Sequence, residues 1–129
     1  MEKKAKILLV DDDVDFVEAT KTILEGNSYE VIVAYEGDEG LRKAKEESPD
    51  LILLDIIMPV KDGFTAAEQL KKDPQLSKIP TLMLTAFAAK RGGSAIPVSR
   101  GFTLEVEDYI DKAAGPGELL VRVKDYLKK

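Results

Sequence analysis

Three consecutive aspartates, Asp11, Asp12 and Asp13, follow directly on the apolar run K-I-L-L-V. A fourth, Asp55, closes the run D-L-I-L-L-D, while Thr85 closes T-L-M-L-T and Lys112 follows D-Y-I-D. If these runs are parallel strands, their C-terminal ends bring carboxylates, a hydroxyl and an ammonium to one sheet edge, where open α/β sheets carry their sites. Carboxylates gathered in this way repel one another and require a cation. The chain has no cysteine and no histidine, so oxygen alone must hold that cation, which favours a hard ion such as Mg²⁺. The chemistry within reach is phosphoryl transfer. A carboxylate oxygen would be the nucleophile and give an acyl-phosphate. The cation would stabilise charge developing on the phosphoryl group, Lys112 would add a second positive charge, and Thr85 would donate to a phosphoryl oxygen.

Taken singly, each residue has a plainer reading. Asp11–Asp13 suit an acid-rich helix start. Asp55 suits the start of a turn, as Asp62-Gly63 does more plainly. Thr85 is at home in any strand, Lys112 on any surface, and Tyr109 in a half-buried strand. The signal is their joint placement on one edge.

The elements that must position these residues are legible in the apolar pattern. Strands are expected at Lys6–Val10, Glu30–Ala34, Asp50–Asp55, Thr81–Thr85 and Asp108–Asp111. Helices are expected over Val14–Glu25, Asp38–Glu47, Phe64–Lys71 and from Pro116 onward. Asp12 or Asp13 caps the first, and Gly26-Asn27 ends it. Their inward faces are Phe16, Val17, Thr20, Ile23 and Leu24 in the first, and Leu119, Leu120, Val123 and Leu127 in the last. Met58-Pro59 marks a loop, and Gly92-Gly93, Pro97 and Gly101 break any helical period between Ala86 and Glu107. Strands alternating with helices imply a doubly wound parallel α/β sheet. With 129 residues, no repeat and no linker, a single domain over residues 1–129 is expected.

Composition narrows the function. Hydrophobic residues at 44% and charged residues at 33% describe a folding chain. A net charge of -5, from 19 basic and 24 acidic side chains, argues against direct nucleic-acid binding. No apolar run approaches the ~18 residues of a membrane span, and the N-terminus lacks a signal-peptide pattern, so a cytoplasmic location is expected.

The ordered set L-L-V-D-D-D, L-I-L-L-D-I-I-M-P-V-K-D-G, L-M-L-T-A and D-Y-I-D-K resembles the receiver domain of two-component response regulators over nearly the whole chain. The resemblance implies a flavodoxin-like (βα)5 fold with strand order 2-1-3-4-5, an order that the general rule for such sheets already attaches to this family. It implies that Asp55 accepts a phosphoryl group from the phosphohistidine of a sensor histidine kinase. Asp12 would then be a direct Mg²⁺ ligand, Asp11 a ligand through water, and the backbone carbonyl of Ile57 a further ligand. Thr85 and Tyr109 would be the switch pair, and Lys112 would pair with the phosphoryl group. Ala86 would leave room beside that group, and Pro59 and Gly63 would shape the loop after Asp55. Phosphorylation would draw Thr85 toward Asp55 and turn Tyr109 inward, changing which downstream protein is bound. The protein would be a monomer or weak dimer, and no enzyme beyond its own phosphorylation and dephosphorylation. With nothing following Lys129, it is expected to be a stand-alone receiver or a piece of a longer regulator.

The chain departs from the family pattern in three places. Proline usually follows the lysine, in a cis peptide; here Ala113 follows Lys112. Since a non-proline cis bond costs about 2.5–4 kcal/mol, either a trans bond or a strained cis one is expected, with Lys112 aimed less tightly. The separation of 27 positions from Thr85 to Lys112 exceeds the usual spacing, which implies an irregular or shortened fourth helix and an unusual partner surface; a tolerated insertion is the plainer account. Apolar Ile57 cannot orient an attacking water, which implies slow loss of phosphate. The missing proline and the altered fourth helix leave a phosphorylation-independent receiver-like interaction module as the alternative, against which the full set of Asp12, Asp55, Thr85 and Lys112 argues. A flavin-binding relative of the fold would need a phosphate cradle where Asp11–Asp13 stand. A small aspartate-nucleophile phosphatase would need a D-x-D-x-T signature that is absent.

Overall fold

The computed structural model describes residues 4–56, 63–85 and 106–127. Five strands, β1 (Lys6–Val10), β2 (Glu30–Ala34), β3 (Leu51–Asp55), β4 (Thr81–Thr85) and β5 (Asp108–Asp111), form one parallel sheet in the order β2-β1-β3-β4-β5. Four α-helices are described: α1 (Val14–Gly26), α2 (Gly37–Glu47), α3 (Gly63–Lys72) and α4 (Pro116–Leu127). The expected doubly wound sheet and its strand order are therefore found.

Strand alternation sorts the core into two layers. Leu8, Val10, Ile52, Leu54 and Met83 pack with Ala44 of α2 and with Ala66, Ala67 and Leu70 of α3. Ile7, Leu9, Leu51, Leu53, Leu82 and Leu84 pack on the other face with Val17 and Leu24 of α1 and Leu119 and Val123 of α4. All of β3 is buried, because helices cover it on both sides. Burying each such leucine contributes about 1.5–3 kcal/mol. Of the helix faces named from spacing, Val17, Thr20, Leu24, Leu119 and Val123 are buried, and Phe16, Ile23, Leu120 and Leu127 only partly covered. Phe64 and the interrupted stretch after Thr85 lie outside the side chains and residues described.

Polar contacts set the element ends. Asp50 is not in β3: its carboxylate accepts from the Lys6 amide at 2.7 Å, just below the two strand starts. Helix α2 begins one residue earlier than the charge pattern suggests, because the Glu36 carboxylate accepts from the Asp38 amide at 3.0 Å. At the sheet's outer edge the Lys43 ammonium donates to the Val33 carbonyl of β2 at 2.6 Å. On the far side Glu107 accepts from the Thr81 amide at 2.6 Å and from Lys71 at 3.3 Å, fastening β5 to β4. Arg122 of α4 bonds Asp108 of β5 at 2.6 Å.

Of the two N-cap candidates for α1, Asp13 fills the role, its Oδ1 accepting from the Phe16 amide at 3.2 Å. Asp13→Ala should cost about 1 kcal/mol, the usual loss for a removed acidic cap, read as a lower midpoint in urea with unchanged slope.

Candidate functional site

Parallel strands deliver their C-terminal ends to a single edge, and the acidic residues meet there. Asp11 leaves β1 with its amide donating to the Ala34 carbonyl at the end of β2, 3.0 Å away. Asp55 ends β3 one strand over. Carboxylate oxygens of Asp11, Asp12 and Asp55 all lie within 4.8 Å of one another. Asp11 is fully buried, Asp55 is 6% exposed and Asp12 faces solvent. Asp11 Oδ1 accepts from the Asp13 amide at 2.9 Å, which ties the acidic turn to the start of α1.

The Lys112 ammonium reaches this cluster from beyond β5. It stands 2.8 Å from Asp11 Oδ2 and 3.9 Å from Asp55 Oδ1. Asp11 Oδ2 is buried, with the Lys112 ammonium as its ion-pair partner. Burial pushes the Asp55 carboxyl up from 3.8 to about 7. The charges of Asp11 and Asp12 push the same way, and Lys112 opposes them. One ammonium against three carboxylates leaves the cluster short of positive charge. The donor set is all oxygen, and the deficit calls for a divalent ion. Asp11, Asp12 and Asp55 thus fit a hard cation.

The remaining predicted residues share the edge to different degrees. Thr85 closes β4, one residue past Leu84, which pairs with Asp55. Tyr109 lies on β5 opposite Met83, half-buried against the α2–α3 layer, and burial raises its phenol. Gly63 opens α3. Ile57, Pro59 and Ala86 lie outside the described residues. The Lys112–Ala113 peptide is trans, the first of the two expected forms. What replaces proline is a 3₁₀ turn over Lys112–Ala114, capped by Asp111, whose carboxylate accepts from the Ala113 amide at 2.9 Å. Gly115, at φ 94°, turns the chain into α4 in a conformation that favours glycine.

Sequence reading missed one contact: Lys112 Nζ sits 4.4 Å from the centroid of the Phe16 ring. Phe16 reads as an ordinary core position of α1, and nothing in the spacing links it to a residue nearly a hundred positions away. Volume alone also misleads. A cavity of about 550 Å³ lies among Lys4, Asp50, Lys78 and Tyr126, at the strand-start edge opposite the acids.

A doubly wound parallel sheet with a cation-demanding acidic cluster at its C-terminal edge is the frame of an α/β signalling domain. The chain belongs to the response regulator receiver domain family, whose pattern residues 7–124 match, and such domains serve phosphorylation-dependent two-component signalling. It is 39% identical over 124 residues to the alkaline phosphatase synthesis transcriptional regulatory protein PhoP of Bacillus subtilis, covering 96% of this chain and 49% of that protein. Among solved structures it resembles a putative response regulator from Chloroflexus aurantiacus, at 34% identity and a TM-score of 0.85, over 98% of this chain and all of the other. It also resembles the receiver domain of a signal transduction histidine kinase from Syntrophus aciditrophicus, at 32% identity and a TM-score of 0.84, over 96% and 90%. The chain spans about half the length of the curated relatives it matches. Among the described residues no helix is long and apolar enough to cross a membrane.

Proposed function

We propose that Asp55 is the phosphoacceptor of a single receiver domain, taking its phosphoryl group from the phosphohistidine of a sensor histidine kinase. An Asp55 oxygen attacks phosphorus, an O–P bond forms, the N–P bond breaks, and the imidazole leaves with its electron pair and takes a proton from solvent. Asp11, Asp12 and Asp55 would hold Mg²⁺, which neutralises charge on the transferring group when bound. Lys112, already 3.9 Å from Asp55, pairs with the incoming phosphoryl oxygens. Thr85 donates to one of them and Tyr109 responds by packing inward. Return to the ground state is attack of water on the acyl-phosphate, and Ile57 offers that water no polar partner. The observation that carries the reading is the convergence of three carboxylates and Lys112 on one edge.

The receiver then works in the cytoplasm by protein contact. PhoP is named as a transcriptional regulator, but the matched segment is about half of it, and the net charge of -5 here supports contact with proteins rather than nucleic acid. Acetyl phosphate with Mg²⁺ should add the mass of one phosphoryl group, removed by hydroxylamine and absent without the metal. An unchanged mass would overturn the proposal in favour of a phosphorylation-independent interaction module.

A further inference from the structure

We propose that Phe16 is a positioning residue for Lys112, its ring supplying a cation–π seat that fixes the ammonium between Asp11 and Asp55. The proposal rests on the phosphoacceptor reading above.

Lys112 has little backbone help in keeping its aim. It starts a three-residue turn rather than preceding a proline, and its side chain is 17% exposed, so its long stem must be held by what it touches. One carboxylate lies 2.8 Å from the ammonium and a second 3.9 Å away. These two carboxylates hold the ammonium from the cluster side alone. The Phe16 ring, 4.4 Å off at the centroid, supplies the missing side of the seat. Its negative face attracts a cation, and the effect strengthens as water is excluded.

Helix α1 makes the placement possible. Asp13 caps it through the Phe16 amide, so the turn that begins with Asp11 also sets the ring's height above the sheet edge. The arrangement couples the metal-binding turn to the lysine through a single helical turn. Beside the ring, an apolar cleft of about 140 Å³ lined by Phe16, Ala19, Ile23, Lys112, Gly115 and Leu119 leaves room for a larger aromatic.

Phe16→Leu keeps an apolar side chain of similar size and removes the π face; Phe16→Trp keeps the face and enlarges it. The acetyl phosphate reaction at saturating Mg²⁺ should slow roughly threefold to tenfold in Phe16→Leu and be retained in Phe16→Trp. In a Lys112→Met background, Phe16→Leu should add no further loss. A second readout needs neither metal nor turnover. Protons on the Lys112 Cε should resonate upfield in the wild type from the ring current, and return toward the free-lysine position in Phe16→Leu. A Phe16→Leu rate equal to wild type, equal losses in the Lys112→Met background, or no upfield shift in the wild type would each overturn the proposal. A wild-type protein that takes no phosphoryl group but shows the shift would overturn the phosphoacceptor reading instead.

Discussion

Asp55→Asn should make the metal-free protein more stable above neutral pH while abolishing its phosphorylation. The Asp55 carboxyl holds its proton up to about pH 7, against 3.8 for a free aspartate, chiefly because it is buried and secondly because Asp11 stands beside it. Because the folded form binds that proton more tightly, the group's contribution is complete below pH 3.8 and is lost as pH rises through about 7. The wild type and Asp55→Asn should thus have similar stability near pH 4, if both remain folded there, and diverge steadily to about pH 8. The gap should reach about 2–4 kcal/mol, or roughly 10 °C in melting temperature for a domain of this size. Adding Mg²⁺ at pH 8 should stabilise the wild type and narrow that gap, since an ion that binds only the folded form stabilises it by mass action. Thermal melts in chelator and in Mg²⁺, across this pH range, check both parts. A flat difference between the two proteins would show that Asp55 ionises as freely folded as unfolded.

The second large effect lies under the site. Gly40 of α2 faces β1 so closely that a Cβ would stand 2.9 Å and 3.1 Å from the two methyl carbons of Val10. Val10 is buried, β-branched and immediately precedes Asp11, so it has little freedom to yield. Gly40→Ala gains about 1 kcal/mol of helix propensity but loses more to overpacking, for a small net destabilisation. Gly40→Leu should lose about 3 kcal/mol, and its disturbance should pass through Val10 to the acidic turn. Denaturant unfolding measures the first effect. The second would appear as weaker Mg²⁺ stabilisation in the fraction that remains folded. An unchanged Gly40→Leu midpoint would mean that α2 can lift away from β1 at no cost.

Much of this fold is written locally. Short runs broken by Gly, Pro, Asn and Asp place every strand to within one residue, most plainly β1, β3 and β4, because a strand buried on both faces must be apolar almost throughout. The boundary errors have local causes too: Glu36 and Asp50 use side chains to satisfy backbone amides, and neither residue type reveals that in advance. The meeting of Asp11, Asp12, Asp55 and Lys112 could be anticipated because parallel order sends strand ends to one edge. The lateral order of those strands came from family likeness, since pairing partners leave little mark on an apolar run. Phe16 was illegible for a stronger reason. Its contact with Lys112 depends on how α1 and the turn before α4 sit beside one another, and its helical spacing says only that it points inward. The Asp111 cap that stands in for proline has the same character, recognisable once the turn is seen.

The bond from Lys43 to the Val33 carbonyl has a consequence for concentrated solutions. A sheet of five parallel strands has exposed rims, and a rim strand with open backbone groups is a template on which another chain can lengthen the sheet. At β2 one of those acceptors is already taken by a lysine that also pairs with Glu39 at 3.2 Å. A strand arriving there would have to displace a charged group to gain the backbone bond at Val33. The β2 rim is thereby shielded against aggregation by strand addition.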